Sequence, residues 1–142
     1  MIRAYQDEDI ESVLSVWYNA TIAATPFLSA AFLEQERRNI REIYIPNTIT
    51  WAYEKDDEVV GFIAMMGNEV GAIFVDPVLH GTGIGAKLMN HVAEVHDELE
   101  VEVFERNKIG STFYDKYGFK EISSYMHDKT GEKMLRLKFV NP

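Results

Sequence analysis

Residues 80–85 read His-Gly-Thr-Gly-Ile-Gly, three glycines in six positions, and lead into residues with helical spacing. A bare loop in front of a helix presents several unpaired backbone N–H groups together with the positive end of the helix dipole, a ready site for a pyrophosphate. Glycine there lets phosphates approach the backbone and permits positive φ, and Lys87 in the first turn could add a charge. Gly81, Gly83 and Ala86 also satisfy the dinucleotide pattern G-x-G-x-x-[GA], with Glu102 placed about 20 residues on, where a ribose-binding acid would stand. Two features oppose a redox cofactor. Asp76 to His80 separates the loop from its strand, and only about 60 residues follow it, too few for the rest of a doubly wound sheet. Gly85-Ala86-Lys87-Leu88 likewise lacks the Gly-Lys-Ser/Thr order of a P-loop.

The elements that must hold this loop follow from the hydrophobic periods. Residues 2–5 suit a short strand. Asp7 stands at an N-cap position before Ile10, Val13, Leu14, Trp17 and Thr21, which share one helical face. The uncharged stretch from Ser12 to Leu33 is 22 residues long, but Pro26 and its many hydroxyl side chains divide it into two packed helices rather than a membrane span. The second helix is expected over 30–43. Strands over 50–54 and 59–66, joined by the acidic turn Lys55-Asp56-Asp57-Glu58, read as a hairpin. The nearly all-apolar run 70–75 suits a strand covered on both faces. Ile84, Leu88, Val92 and Val95 mark the helix after the glycine loop, and Leu99, Val101 and Val103 alternate with Glu98, Glu100 and Glu102 as a half-buried strand. A short helix over 109–117 ends at Gly118, and strands over 119–127 and 133–140 close the chain. The order implies an α/β (α+β) fold, a mixed and mostly antiparallel twisted sheet flanked by helices, in one domain over 1–142.

In this setting residues 80–85 resemble the acetyl-CoA loop of the GCN5-related N-acetyltransferases (GNAT), whose pattern is Q/R-x-x-G-x-G/A at the start of the central helix. His80 takes the first position in place of glutamine or arginine, and Gly83 and Gly85 take the others. A second stretch, Asn107 to Phe119, resembles the family's N-x-x-A-x-x-F-Y-x-x-x-G-F, with Gly110 in place of alanine. The element order extends the resemblance over the whole chain, and the small single-domain bacterial members look most similar.

The resemblance implies acetyl-CoA as acyl donor, with no metal, bound by the loop His80, Gly81, Thr82, Gly83, Ile84, Gly85, Ala86 and Lys87. It implies that the backbone of Ile73, Phe74 and Val75 holds the pantetheine arm in a gap between splayed strands, and that Asn107 hydrogen-bonds that arm. N-capping of the next helix is an equally good and compatible reading of Asn107. By position alone Tyr114 is a helix aromatic packed in the core; the motif makes it the acid that protonates the leaving thiolate. With no cysteine and no G-x-S-x-G elbow, a covalent acyl-enzyme is disfavoured, and an amine attacks the thioester directly in a ternary complex. Glu102 or Glu100, on the polar face of the strand beside the cleft, could serve as base through water or as cation anchor, with Glu69 a weaker candidate of the same kind; a solvated strand face is the plainer reading. Phe27 and Phe32, in the segment where the family's selectivity resides, are candidates to line the acceptor pocket. Core packing explains Trp17 and Trp51, and His91, His96 and His127 have no metal-ligand spacing.

Composition bounds the partners. The formal charge is −9, from 14 Lys plus Arg against 23 Asp plus Glu, which disfavours nucleic acid and suits an amine-bearing small molecule or a basic peptide. A tRNA-acetylating toxin of the same fold would need a strong local basic patch. A non-catalytic acyl-CoA-binding module would not need both Tyr114 and Asn107. The N-terminus lacks an apolar run after a basic one, so a cytoplasmic protein without signal peptide or membrane contact is expected, as monomer or homodimer.

Overall fold

Strand and helix periods resolve into seven strands and four helices in the computed structural model, which describes residues 1–142. In chain order these are β1 (Ile2–Ala4), α1 (Ile10–Ala24), α2 (Ala30–Asn39), β2 (Ile49–Lys55), β3 (Glu58–Met66), β4 (Glu69–Val75), α3 (Ile84–Ala93), β5 (Glu98–Phe104), α4 (Lys108–Tyr117), β6 (Lys120–Met126) and β7 (Lys133–Val140). One sheet runs in the order β1-β2-β3-β4-β5-β7-β6. Every neighbouring pair is antiparallel except β4 and β5, which are parallel. Asp56 and Asp57 both adopt positive φ in the β2–β3 turn, 52° and 64°, the twist that a two-residue hairpin turn requires.

The sheet buries a different cluster on each face. On one face Ile63, Val101, Val103 and Leu137 pack with Ile84, Leu88 and Val92 of α3 and with Tyr114 of α4. On the other, Val13, Leu14 and Trp17 of α1 pack on Phe62, with Ala72 and Phe74 of β4 against them. Strand β4 therefore carries apolar side chains to both clusters, as its composition implies. Its residues Ala72 to Phe74 nevertheless stay only half-buried, because they border a cavity.

Several boundaries differ from the periods. Asp7 opens a short 3₁₀ turn, and Asp9 precedes α1 instead. Asp9 is 6% exposed and forms a two-pronged pair with Arg3 at 2.8 and 2.9 Å, while Arg3 also reaches Glu54; this joins β1, α1 and β2. The Arg3 hydrogen bonds hold the Asp9 carboxyl below its ordinary range. The second helix does not continue as α-helix to residue 43: from Ile40 to Tyr44 it widens into a π turn, followed by a 3₁₀ turn over Ile45–Asn47 with Pro46 in its first turn. Helix α3 stops at Ala93, and Val95 is 77% exposed rather than part of the apolar face. Trp51 is half-buried, its ring 4.4 Å from that of His91. No helix is long and apolar enough to cross a membrane.

Candidate active site

Strands β4 and β5 pair only at Glu69↔Glu100 and Val70↔Val101. Beyond that point they part, and the opening belongs to a cavity of about 1050 Å³. Arg136 of β7 fastens the strands just before they separate: its Nε donates to Glu100 at 2.8 Å and its Nη2 to Glu69 at 3.1 Å. These pairs hold its guanidinium above the ordinary range, the Glu69 bond contributing most.

One end of the cavity is the glycine loop. Asp76 caps a 3₁₀ turn over Pro77–Leu79 by accepting from the Val78 N–H at 3.2 Å, so the segment that separated loop from strand is itself a built corner. His80 then folds back, its Nε2–H donating to the Val75 carbonyl at 2.9 Å. That bond ties the loop to the last residue of β4. Gly81 and Gly83 have φ of 83° and 90° with no atom within 4 Å of a would-be Cβ, a backbone conformation that side chains resist. Gly85 has a different constraint: a Cβ there would lie 3.1 Å from the Phe113 ring, so this glycine lets α3 and α4 approach. The first intrahelical donor of α3 is Lys87 N–H, bonded to the Gly83 carbonyl at 3.0 Å. The amides from Gly83 to Ala86 are left as the free donors of the helix start.

The sequence-derived donor residues Ile73, Phe74 and Val75 line the cavity along β4. His80, Gly81, Gly83, Ile84, Gly85 and Ala86 line it at the loop. Thr82 and Lys87 do not. Thr82 is exposed and satisfied locally, with both its N–H and its hydroxyl donating to the Leu79 carbonyl. Asn107 lines the far wall and caps α4, Oδ1 accepting from Gly110 N–H at 2.7 Å. A Cβ at Gly110 would meet Asn107 Nδ2 at 2.8 Å, so the departure from alanine gives this amide room. The cap engages the oxygen and leaves Nδ2 as a donor. Tyr114 belongs to the core and to the cavity at once: it is 7% exposed yet lines the opening. Burial raises its phenol above the ordinary tyrosine range.

At the other end β5, β6 and β7 supply a polar and aromatic wall. Glu102 lines the cavity with Arg136 Nη1 at 3.8 Å, whereas Glu100 and Glu69 are held by Arg136 and are absent from the lining. Tyr125 faces the same carboxylate; its phenol is raised by burial first and by Glu102 second. Phe32 of α2 lines this end, edge-on to His127 with ring centroids 5.9 Å apart, and Phe104 packs on His127 at 5.6 Å. Phe27 is not part of the lining. It packs against the Phe104 ring at 5.9 Å and under the Arg106 guanidinium at 4.2 Å. Glu36 and Tyr44 complete the mouth, the Tyr44 hydroxyl donating to Glu36 at 3.3 Å.

Phe104, Tyr125, Met134, Glu36 and Tyr44 were not singled out from sequence, and His127 was considered there only as a metal ligand and set aside. Phe104, Tyr125 and His127 carried a signal, because Glu102 and Phe104, and Tyr125 and His127, alternate with period two onto the face that bears the cleft. Tyr44 carried none, since it reaches the mouth through the π turn.

A sheet opened between two parallel strands, with a glycine-rich helix start at the mouth of the gap, is the frame expected of an acyltransferase. Residues 46–121 match the family model described as an acetyltransferase (GNAT) domain. The chain belongs to the GCN5-related N-acetyltransferase family. It is 31% identical over 131 residues to the peptidyl-lysine N-acetyltransferase YiaC of Escherichia coli K12, covering 92% of this chain and 90% of that protein. The peptidyl-lysine N-acetyltransferase YjaB of the same strain is also 31% identical, over 142 residues, covering 98% of this chain and 96% of that protein. The solution structure of apo YjaB from E. coli superposes with a TM-score of 0.89 at 29% identity, covering 100% of this chain and 98% of that one. The PaiA N-acetyltransferase of Thermoplasma acidophilum in complex with coenzyme A shares the fold, with a TM-score of 0.75 at 20% identity and 98% coverage of both chains.

Proposed function

We propose that the protein transfers the acetyl group of acetyl-CoA to a primary amine, and that the acceptor is the side chain of a lysine in a protein or peptide. The observation that carries this reading is the single cavity that joins a phosphate-type loop, the gap between β4 and β5, Tyr114 and an acidic, aromatic far wall. The peptidyl-lysine acetyltransferase names of YiaC and YjaB support the acceptor class.

The residues present fit coenzyme A. Free amides from Gly83 to Ala86 meet the pyrophosphate, backbone groups of Ile73 to Val75 left without a strand partner meet the pantetheine amides, and Asn107 Nδ2 donates to the same arm. A lysine side chain enters from the opposite mouth, its methylenes against Phe32 and Met134 and its ammonium toward the Glu102 carboxylate. At pH 7 the ordinary lysine value near 10.4 makes deprotonation cost about 4.6 kcal/mol. The freed amine attacks the thioester carbonyl, the C–N bond forms, and the C–S bond breaks as the intermediate collapses. Tyr114 donates its proton to the leaving sulfur and recovers one from the new amide nitrogen. Burial raises the Tyr114 phenol, which widens its gap to a thiol at about 8.5, so the proton passes to sulfur only as negative charge develops there.

Thiol release measured over lysine peptides, peptide N-termini and small polyamines tests the acceptor, and thermal melts test the donor. Acetyl-CoA is expected to raise Tm while NADH does not, with lysine peptides turned over fastest. Stabilisation by NADH and not by acetyl-CoA would end the donor assignment, and turnover confined to small amines would end the peptide assignment.

A further inference from the structure

The proton that leaves the acceptor ammonium needs a receiver. Glu102 suits anchoring better than proton removal, because an ordinary carboxylate near 4.3 lies about 6 units below a lysine ammonium, and Arg136 Nη1 already stands 3.8 Å from it. Imidazole is the side chain whose ordinary titration falls nearest neutrality. Two histidines line the cavity, His80 and His127. His80 has its Nε2 committed to the Val75 carbonyl at the donor end. His127 stands at the acceptor end between Phe32 and Phe104.

Its surroundings hold it in place. The His127 N–H donates to the Glu132 carbonyl and its own carbonyl accepts from Gly131 N–H, both at 2.8 Å. The ring is set by a side chain: Nδ1 lies 3.0 Å from Thr130 Oγ1, and that oxygen already accepts from Glu132 N–H at 3.2 Å. A threonine oxygen has two lone pairs, so it can accept from Nδ1–H as well. In that arrangement Nε2 is the unprotonated nitrogen of the neutral ring, and the same Nδ1–H bond persists in the imidazolium. The ring can therefore take up and release a proton at Nε2 without turning.

We propose that His127 is the catalytic base, presenting Nε2 to the acceptor amine, and that Thr130 is the positioning residue that fixes its tautomer. This rests on the acetyl-transfer reading above. The ammonium gives one proton to Nε2 and attacks as the free amine; sulfur leaves with the Tyr114 proton, the amide nitrogen returns one to Tyr114, and His127 releases its proton to solvent through the open mouth. The net products are the acetylated amine, the free thiol and one proton. The other titratable and charged groups around this end are Glu102 from β5 with Arg136 of β7 beside it, Glu36 from α2, Tyr44 from the π turn, Tyr125 from β6, and Asp128 and Lys129 from the turn after β6.

The test combines kinetics with spectroscopy of the unliganded protein. With a lysine peptide as acceptor, His127→Gln is expected to lower kcat by about 10²-fold, to remove the acid limb of the kcat/KM profile, and to leave CoA affinity and Tm unchanged. Thr130→Val should reduce kcat, with Thr130→Ser restoring it. Long-range proton–nitrogen spectra of the wild type should show neutral His127 protonated at Nδ1. An Nε2-protonated neutral ring, or an unaltered pH profile in His127→Gln, would overturn the assignment, and the spectra decide even if the variant fails to fold. A wild-type protein that binds acetyl-CoA yet acetylates no lysine peptide would instead overturn the functional reading, and this one with it.

Discussion

Single residues divide the work of the glycine loop. Gly81 and Gly83 serve backbone conformation and Gly85 serves helix packing, so substitutions should fail differently. Gly83→Val forces a β-branched side chain into φ near 90°. The strain is of order 1–3 kcal/mol and lies at the free amides, so CoA affinity should fall by at least about tenfold in a calorimetric titration. Retained affinity would mean that the loop faces some other ligand. Tyr114→Phe removes one buried hydroxyl and little packing. Turnover should drop by about 10²-fold while Tm and CoA affinity stay close to wild type, readable from thiol release and melts on the same samples; unchanged turnover would remove the acid role.

Among the elements, the joint between β4 and β5 depends on β7. Glu69 and Glu100 are register partners on adjacent strands, and like charges so placed repel unless a cation lies between them. Arg136 is that cation. Arg136→Gln should therefore destabilise the fold by about 1–2 kcal/mol, discounted for the partial exposure of all three side chains. Added salt should recover part of the loss in thermal melts, and a salt-independent deficit would point to lost packing instead. The strand and helix periods made the sheet, the helix faces and the glycine-loop end of the cavity legible, because those rest on local patterns and two motifs. The Arg136 bridge was not legible: it joins residues 36 and 67 positions apart, and no local pattern encodes that distance. The π turn was equally hidden, since Ile40 to Tyr44 keeps an ordinary helical composition. Phe27 and Phe32 could not be told apart for a related reason: Phe27 lies between α1 and α2, where no period assigns a face, and Phe32 stands in the first turn of α2.

For the whole molecule, the net charge of −9 and the carboxylates Glu36 and Glu102 on the cavity favour approach by basic peptides. The two-pair junction between β4 and β5 has a thermodynamic meaning as well. It divides the sheet into a block of β1 to β4 and a block of β5, β7 and β6, whose direct strand-to-strand bonding is short. A ligand lying in the gap would act as a missing strand, so binding should change cooperativity as well as stability. In scanning calorimetry the unliganded protein should unfold over a broad transition, with a van't Hoff enthalpy below the calorimetric one. Saturation with CoA should bring the two enthalpies together, making the substrate a structural member of the sheet it reacts in.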